Sequence, residues 1–209
     1  MFYTTEQENF WAGNFGDEYI ERNFLTNCVS SNTYLFSKIL ARTVRIKSVI
    51  EFGANIGLNL LVMRSLIPDI RLSAIEINEK AVATLKKIEG ITIYPESILA
   101  NSSPPPADIV LIKGVLIHIN PDFLGHVYEK LYKTALKYIC IVEYYNPTPV
   151  EVSYRGYSDR LFKRDFAGEV LDKYTDLNLV DYGFVYHRDH NFPADDLTWF
   201  LLEKSVAST

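Results

Sequence analysis

An apolar run that ends in two glycines, with a carboxylate about 20 residues further on, is the part of this sequence best equipped for chemistry. The segment Val49-Ile-Glu-Phe-Gly-Ala-Asn-Ile-Gly57 reads as a strand running into a turn that opens a helix. Gly53 and Gly57 carry no Cβ, so a ligand can approach the turn's backbone closely. Glu76 closes the next apolar run, where nucleotide-binding folds place the acidic residue that holds a ribose. The spacing Glu-x-Gly-x-x-x-Gly lacks the close Gly-x-Gly pair that a dinucleotide pyrophosphate requires, which makes NAD or FAD the weaker reading. An adenosyl group without a phosphate to cradle fits better. The competing reading treats both glycines as turn and packing residues and Glu76 as a solvated strand end.

Further along stand groups that can move a proton or hold an acceptor. His118 is the natural general base, because a neutral imidazole with an ordinary pKa of about 6.5 accepts a proton near neutrality. Its alternative is a structural histidine that orients its loop. Glu143, followed by Tyr144, Tyr145 and Asn146, ends another apolar run and reads as an acceptor-binding residue or second base, or else as a hydrogen-bonded strand end. Tyr154, Arg155, Lys163 and Arg164 gather cations and a phenol, which suits an acceptor bearing a carboxylate or phosphate. Ion pairs with Asp159, Asp165 and Glu169 are the plainer account of the same residues. Asp195 and Asp196 could bind sugar hydroxyls or cap a turn, and His187, Asp189 and His190 read as a surface loop. Cys28 and Cys140 belong to no metal or disulfide pattern and read as small buried hydrophobes; no metal site is expected.

The elements that must position these groups alternate. Ile46–Phe52, Ile70–Glu76, Ile91–Tyr94, Asp108–Lys113 and Tyr138–Tyr144 read as five buried strands. Leu58–Leu66, Glu79–Ile88 and Phe123–Leu136, the last behind Asn120-Pro121, read as crossover helices. Phe162–Tyr174 reads as a helix, and Leu179–Tyr186 and Leu197–Leu202 as closing strands, one of them antiparallel. The fold class is therefore α/β: a Rossmann-like, seven-stranded, mostly parallel sheet with helices on both faces. Residues 1–45, with Trp11, Phe15, Tyr19 and Phe24, read as an N-terminal helical extension or lid, and 46–209 as one globular unit.

Composition limits the partners. Of the 209 residues, 48% are hydrophobic and 22% charged, enough for one sizeable core. Twenty-one Lys and Arg against 26 Asp and Glu give a net charge of -5, opposite to what neutralising phosphates requires, so nucleic acid is not an expected partner. No signal-like or membrane-spanning run is visible, and the expected location is cytoplasmic.

These segments resemble the class I S-adenosylmethionine-dependent methyltransferases, with Glu51-Phe-Gly-Ala-Asn-Ile-Gly57 standing as the first cofactor loop. A more specific resemblance is carried by Glu51–Asn59, Lys113–Pro121, Glu143–Pro147, Tyr154-Arg-Gly156, Leu161–Gly168 and Asp195–Phe200. They are similar to the family of pseudaminic acid biosynthesis-associated methylases. The resemblance implies S-adenosylmethionine as cofactor, with Glu51, Gly53, Ala54, Asn55 and Gly57 around its methionine part. It puts Glu76 and Ile77 around ribose and adenine, Ser97 and Ile98 against the adenine, and Lys113, Gly114 and Val115 beside the reactive methyl group. It further implies O- or N-methylation of a small polar acceptor of sugar or sugar-nucleotide type, with His118 or Glu143 handling the proton. The alternative is a non-catalytic cofactor-binding subunit of a modification complex, with the aromatic N-terminal segment as its docking arm.

Overall fold

The computed structural model describes residues 3–22 and 27–205. Phe24 and the side chain of Cys28 lie outside the described residues. Three helices come first: α1 (Glu6–Ala12), α2 (Asn14–Arg22) and α3 (Asn27–Leu40). They are followed by β1 (Ser48–Phe52), α4 (Leu58–Leu66), β2 (Arg71–Ile75), α5 (Glu79–Leu85), β3 (Ile91–Tyr94) and β4 (Ala107–Lys113). Next are α6 (Leu124–Thr134), β5 (Ala135–Glu143), a ribbon of β6 (Val150–Glu151) and β7 (Phe162–Lys163), α7 (Phe166–Lys173), β8 (Leu177–Val185) and β9 (Leu197–Lys204).

Seven strands form one sheet in the order β3-β2-β1-β4-β5-β9-β8. All pairings from β3 to β5 are parallel, and β9 runs antiparallel to both neighbours. The chain reverses its direction of growth between β1 and β4, and such a switch point leaves a crevice at the strands' carboxyl ends. Alternate residues of each strand face opposite sides, so a sheet covered twice needs apolar residues at nearly every strand position. Val49, Ile109, Leu111 and Cys140 enter the core under α3, α4 and α5, while Ile50, Phe52, Val110 and Ile139 enter the one under α6 and α7. Full burial of each such side chain contributes about 1.5–3 kcal/mol.

Three expectations shift in detail. Helix α3 supplies Leu35, Phe36 and Ile39 to the core, so this part of the N-terminal segment is built into the domain. The helix expected from Phe162 begins at Phe166, because Asp165 caps it through Gly168 N (2.8 Å) and Phe162–Lys163 pair with Val150–Glu151. The helix expected to reach Leu136 ends at Thr134, and β5 starts at the next residue. No helix among the described residues is long and apolar enough to cross a membrane.

Candidate active site

The turn after β1 is built from left-handed residues. Gly53 (φ 74°), Asn55 (φ 48°) and Gly57 (φ 81°) all have positive φ, which glycine adopts freely and asparagine tolerates. A Cβ on Gly53 would lie 2.6 Å from Val115 Cγ2, and one on Gly57 2.7 Å from side-chain atoms of Leu85 and Ile88. Gly53 thus keeps the turn open toward the segment after β4, and Gly57 lets α4 start close against α5.

This turn borders a cavity of about 480 Å³ at the carboxyl ends of the parallel strands. Gly53, Ala54 and Asn55 line it, as do Glu76 and Ile77 after β2, Ser97 and Ile98 after β3, and Lys113, Gly114, Val115 and His118 after β4. Glu76 is buried and accepts from Asn55 N through Oε2 (2.6 Å) and from Asn78 N through Oε1 (2.8 Å). Burial nonetheless holds its carboxyl above the usual range. A carboxylate has about four acceptor positions. Two are used by these backbone groups, which leaves acceptor capacity for a ligand.

Glu51 lies beneath the turn and does not line the cavity. Its Oε1 accepts from Asn59 Nδ2 (2.6 Å), and burial pushes it up to about 8. Glu51 Oε2, Asn55 Oδ1 and Asn59 Oδ1 are buried acceptors with no donor among the described residues. Asn59 and Asn55 both face the cavity.

His118 sits in the short helical turn after β4 with its Nδ1 2.5 Å from the Arg160 carbonyl. That carbonyl can only accept, so Nδ1 carries the hydrogen and Nε2 stays unprotonated. Burial pushes the ring down to about 4, so it is neutral at physiological pH. Its faces meet Trp11 (centroids 4.6 Å apart) and Tyr154 (4.9 Å).

Glu143 does not reach the cavity. It is 2% exposed, on the α6–α7 side of β5, and its Oε1 accepts from Val115 N (2.9 Å) and Leu116 N (2.8 Å). The carboxyl that sequence reasoning offers as a base thus holds the loop that carries His118. Burial pushes it up to about 7, against the pull of those backbone donors.

The residues expected to grip the acceptor also stand outside the cavity lining. The prolines at 147 and 149 take the chain from β5 into the small ribbon, away from the sheet's edge. Tyr145 is exposed against Phe200, and Asn146 donates to Thr148 O (2.5 Å). Lys163 lies over the Tyr144 ring (4.8 Å), and Arg155 reaches toward Tyr154 from a left-handed backbone. Arg164 pairs with Glu169 at 2.5 Å, the ion pair that was the plainer account. Tyr154 approaches closest, packed behind His118.

Other lining residues carry weaker sequence signals. Trp11 and Tyr19 of α1 and α2 cover the cavity, Asn32 lines it from α3, and His187 and Asp195 line it from the β8–β9 connection. The covering helices begin at a capping box, in which Thr5 Oγ1 accepts from Glu8 N while Glu8 Oε2 accepts from Thr5 N. Asn78 ties them down: Nδ2 donates to Trp11 O (3.2 Å) and Asp17 Oδ1 (2.9 Å). Lys80 pairs with Asp17 at 2.8 Å and holds its carboxyl below the usual range, while Gln7 donates to Asp159 O. The aromatic rhythm of residues 10–19 signals helices, but which cavity they cover depends on contacts more than 60 residues away in sequence, such as Asn78–Trp11.

No protein-family model matches the sequence, and no curated protein matches it. Solved structures do. The Burkholderia thailandensis 1,6-didemethyltoxoflavin-N1-methyltransferase superposes with a TM-score of 0.70 at 12% identity, over 95% of this chain and 87% of that one. The plantazolicin methyltransferase, bound to S-adenosylhomocysteine, gives 0.66 at 15% identity over 96% and 94%. The mitomycin 7-O-methyltransferase gives 0.68 at 12% identity, over 96% of this chain and 61% of that chain. At such identities the likeness is one of architecture, and in architecture this chain has the class I methyltransferase fold.

Proposed function

We propose that this protein is an S-adenosylmethionine-dependent methyltransferase acting on a small polar acceptor. The observation that supports this most is the pairing of Glu76 with the left-handed turn. A buried carboxylate is aimed by Asn55 N beside a backbone that Gly53 keeps open, at the switch point of the sheet. Neighbours of the same fold were crystallised with S-adenosylhomocysteine.

The residues fit such a cofactor. The spare lone pairs of Glu76 suit the two ribose hydroxyls, with Ile77, Ser97 and Ile98 beside the adenine. The two unmatched acceptors that face the cavity, Asn55 Oδ1 and Asn59 Oδ1, suit an α-ammonium group, which brings only donors. When bound, the cofactor supplies an electrophilic methyl group on a sulfonium. The chain's own residues position and enclose. Glu143 fixes Val115 and Leu116, which set the wall carrying His118, and α1 and α2 line the cavity with Trp11, Tyr19 and Ile20. His118, neutral and tied through Nδ1, offers Nε2 as a hydrogen-bond acceptor for the hydroxyl or amine to be methylated. Holding two reactants aligned can by itself supply effective molarities of about 10⁵ M or more.

For the acceptor we infer a sugar or sugar nucleotide, the nonulosonic type included, methylated on O or N. Polar side chains such as Gln7, Asn120, His187 and Asp195 along the wall support it. Lys113, not the 155–164 cations, would meet an anionic group there.

Calorimetric titration with S-adenosylmethionine, S-adenosylhomocysteine and NAD in parallel tests the cofactor. The expected result is binding of both adenosyl compounds and not NAD, lost in Gly53→Arg and weakened in Glu76→Ala. Absence of binding by the intact protein overturns the reading. Methyl-labelled cofactor offered to a panel of sugar nucleotides and to heteroaromatic amines then tests the acceptor class, and label confined to the amines rejects the sugar.

A further inference from the structure

Two histidines from distant parts of the chain line the same cavity, and both are held by Nδ1. His118 hydrogen-bonds a carbonyl. His187, in the β8–β9 connection, hydrogen-bonds a carboxylate: its Nδ1 lies 2.8 and 2.9 Å from Asp196 Oδ1 and Oδ2, and its backbone N donates to Oδ1 at 3.0 Å. A carboxylate only accepts, so Nδ1 carries a hydrogen; Nε2, which has no hydrogen-bond partner among the described residues, is the acceptor position of the neutral ring.

Protonation has different consequences at the two rings. A proton on His118 would create a buried cation facing a neutral carbonyl, with the aromatic rings of Trp11 and Tyr154 on its faces. A proton on His187 would create a cation paired with Asp196, on a side chain 55% exposed, from which water can remove it. Near His187 in sequence stand Asp195 and Asp196, Arg188, Asp189 and His190 of the same connection; the Tyr186 ring lies at 4.7 Å, and the charge of Lys163 acts on its partner Asp196. Asp189 is engaged by Asn191 N and Phe192 N, which leaves Asp196 as the partner of the ring. An imidazole oriented by a carboxylate is the arrangement general-base catalysis uses elsewhere.

We propose that His187, held by Asp196, takes the proton from the acceptor, while His118 only orients it. This rests on the methyl-transfer reading. Nε2 of His187 receives the proton as the acceptor's X–H bond breaks and the bond from X to the methyl carbon forms. The electron pair of the broken carbon–sulfur bond stays on sulfur, and the proton passes from His187 to water.

The test compares the intact protein with His187→Gln and Asp196→Asn, using phenol, protonated at neutral pH, and thiophenol, already largely ionised, as probe acceptors with methyl-labelled S-adenosylmethionine. Loss of the base should lower transfer to phenol by about 10²–10⁴-fold and transfer to thiophenol by no more than about twofold. Asp196→Asn should lie between. Equal loss on both probes, or none on either, overturns the proposal. Long-range proton–nitrogen NMR of the histidine rings tests it without an acceptor: the neutral ring of His187 is expected as the Nδ1–H tautomer, and the Nε2–H tautomer overturns it. Calorimetric binding of S-adenosylmethionine by the same variants should be unchanged. If the intact protein does not bind it, the methyl-transfer reading itself fails, which the NMR result does not decide.

Discussion

The half of the sheet formed by β1, β2 and β3 and the half formed by β5, β9 and β8 are held in different ways. In the first, polar groups that face the cavity are fixed by short-range backbone geometry. Gly53 N and Ala54 N both donate to Ile75 O, Asn55 N donates to Glu76, and Asn78 both caps α5 and holds Glu76. In the second, register shifts between Leu179 and Asp181, aromatic side chains such as Tyr182 and Phe184 remain exposed, and charged groups pair near the surface. One half fixes its cavity-facing groups through backbone hydrogen bonds, whereas the other leaves more of its side chains at the surface. On the proposed reading, such a division would let one cofactor site serve many acceptors, because function resides in the grafted site more than in the fold.

The largest effect should come from the first half. Gly53→Arg places a side chain where a Cβ already meets Val115 and forces a left-handed backbone on a residue that resists it, at about 1–2 kcal/mol from the backbone alone. We expect no measurable S-adenosylmethionine binding by calorimetry, with the circular dichroism spectrum retained. Glu76→Ala should weaken binding at least about tenfold, since it removes acceptors that hydrogen bonds to a charged group make worth about 1.5–3 kcal/mol. Retained affinity in both variants would break the contrast at its stronger side.

Glu143 tests whether the boundary between the halves matters. Glu143→Ala leaves the buried N–H groups of Val115 and Leu116 without acceptors, at about 1–3 kcal/mol each. The melting temperature should fall by several degrees, and transfer should fall with it. Glu143→Gln keeps an acceptor oxygen and should restore most of both. A Gln variant that is stable but inactive would show Glu143 acting on protons after all.

This asymmetry also explains what the sequence makes legible. The strands, the crossover helices and the glycine turn follow from local signals: apolar runs, an Asn cap, and glycines where φ must be positive. Glu76 is legible because one strand–helix unit sets its distance from the turn. Glu143 carries two readings for the same local reason, since its place at a strand end is visible while the face it occupies, under Val115 and Leu116, is a tertiary fact. His187 reads as a surface loop because nothing nearby in sequence shows that the β8–β9 connection folds over the cavity beside Pro193, whose carbonyl accepts from Ser31 Oγ (2.7 Å). Residues 154–164 carry two readings because cations that suit an anion equally suit neighbouring carboxylates.

Trp11 sharpens the comparison with a smaller effect. Its ring packs on His118, Phe15 and Tyr19 and closes the cavity over both halves. Trp11→Ala should weaken cofactor binding by about tenfold, near the 1.4 kcal/mol that one lost aromatic contact can supply. Unchanged affinity would favour a docking arm over a lid.

Glu51 sharpens it through pH. Its folded carboxyl titrates at about 8, above the ordinary 4.5, so in that interval the folded protein keeps a proton that the unfolded chain has lost. Stability from this group is therefore full below about 4.5 and declines as pH rises through about 8. His118 has the opposite sign, since its ring is depressed to about 4 and costs stability only as pH falls below 6.5. Glu143, whose carboxyl titrates at about 7, and Glu76, also held up by burial, have the same sign as Glu51, so the decline between pH 6.5 and 8 belongs to these buried carboxyls together. Melting curves of Glu51→Gln should be flatter over that range than those of the intact protein.

The smallest effect belongs to the ribbon and helix α7 beside the second half. Arg164 and Glu169 form a close pair, with side chains 19% and 31% exposed, and Glu169 also accepts from Tyr128 Oη at 2.6 Å. Such a partly exposed pair contributes about 0–1 kcal/mol, so Arg164→Ala should shift the melting temperature by only a few degrees and leave S-adenosylmethionine binding unchanged. Its value lies in the acceptor. If the pair only braces α7 against α6, transfer to neutral and anionic sugar nucleotides should fall equally and slightly. If removal of Arg164 selectively lowers transfer to the anionic ones by tenfold or more, about 1.4 kcal/mol, the ribbon must swing this cation into the cavity during turnover. The looser half would then be loose for a reason: it would carry the charges that choose the acceptor.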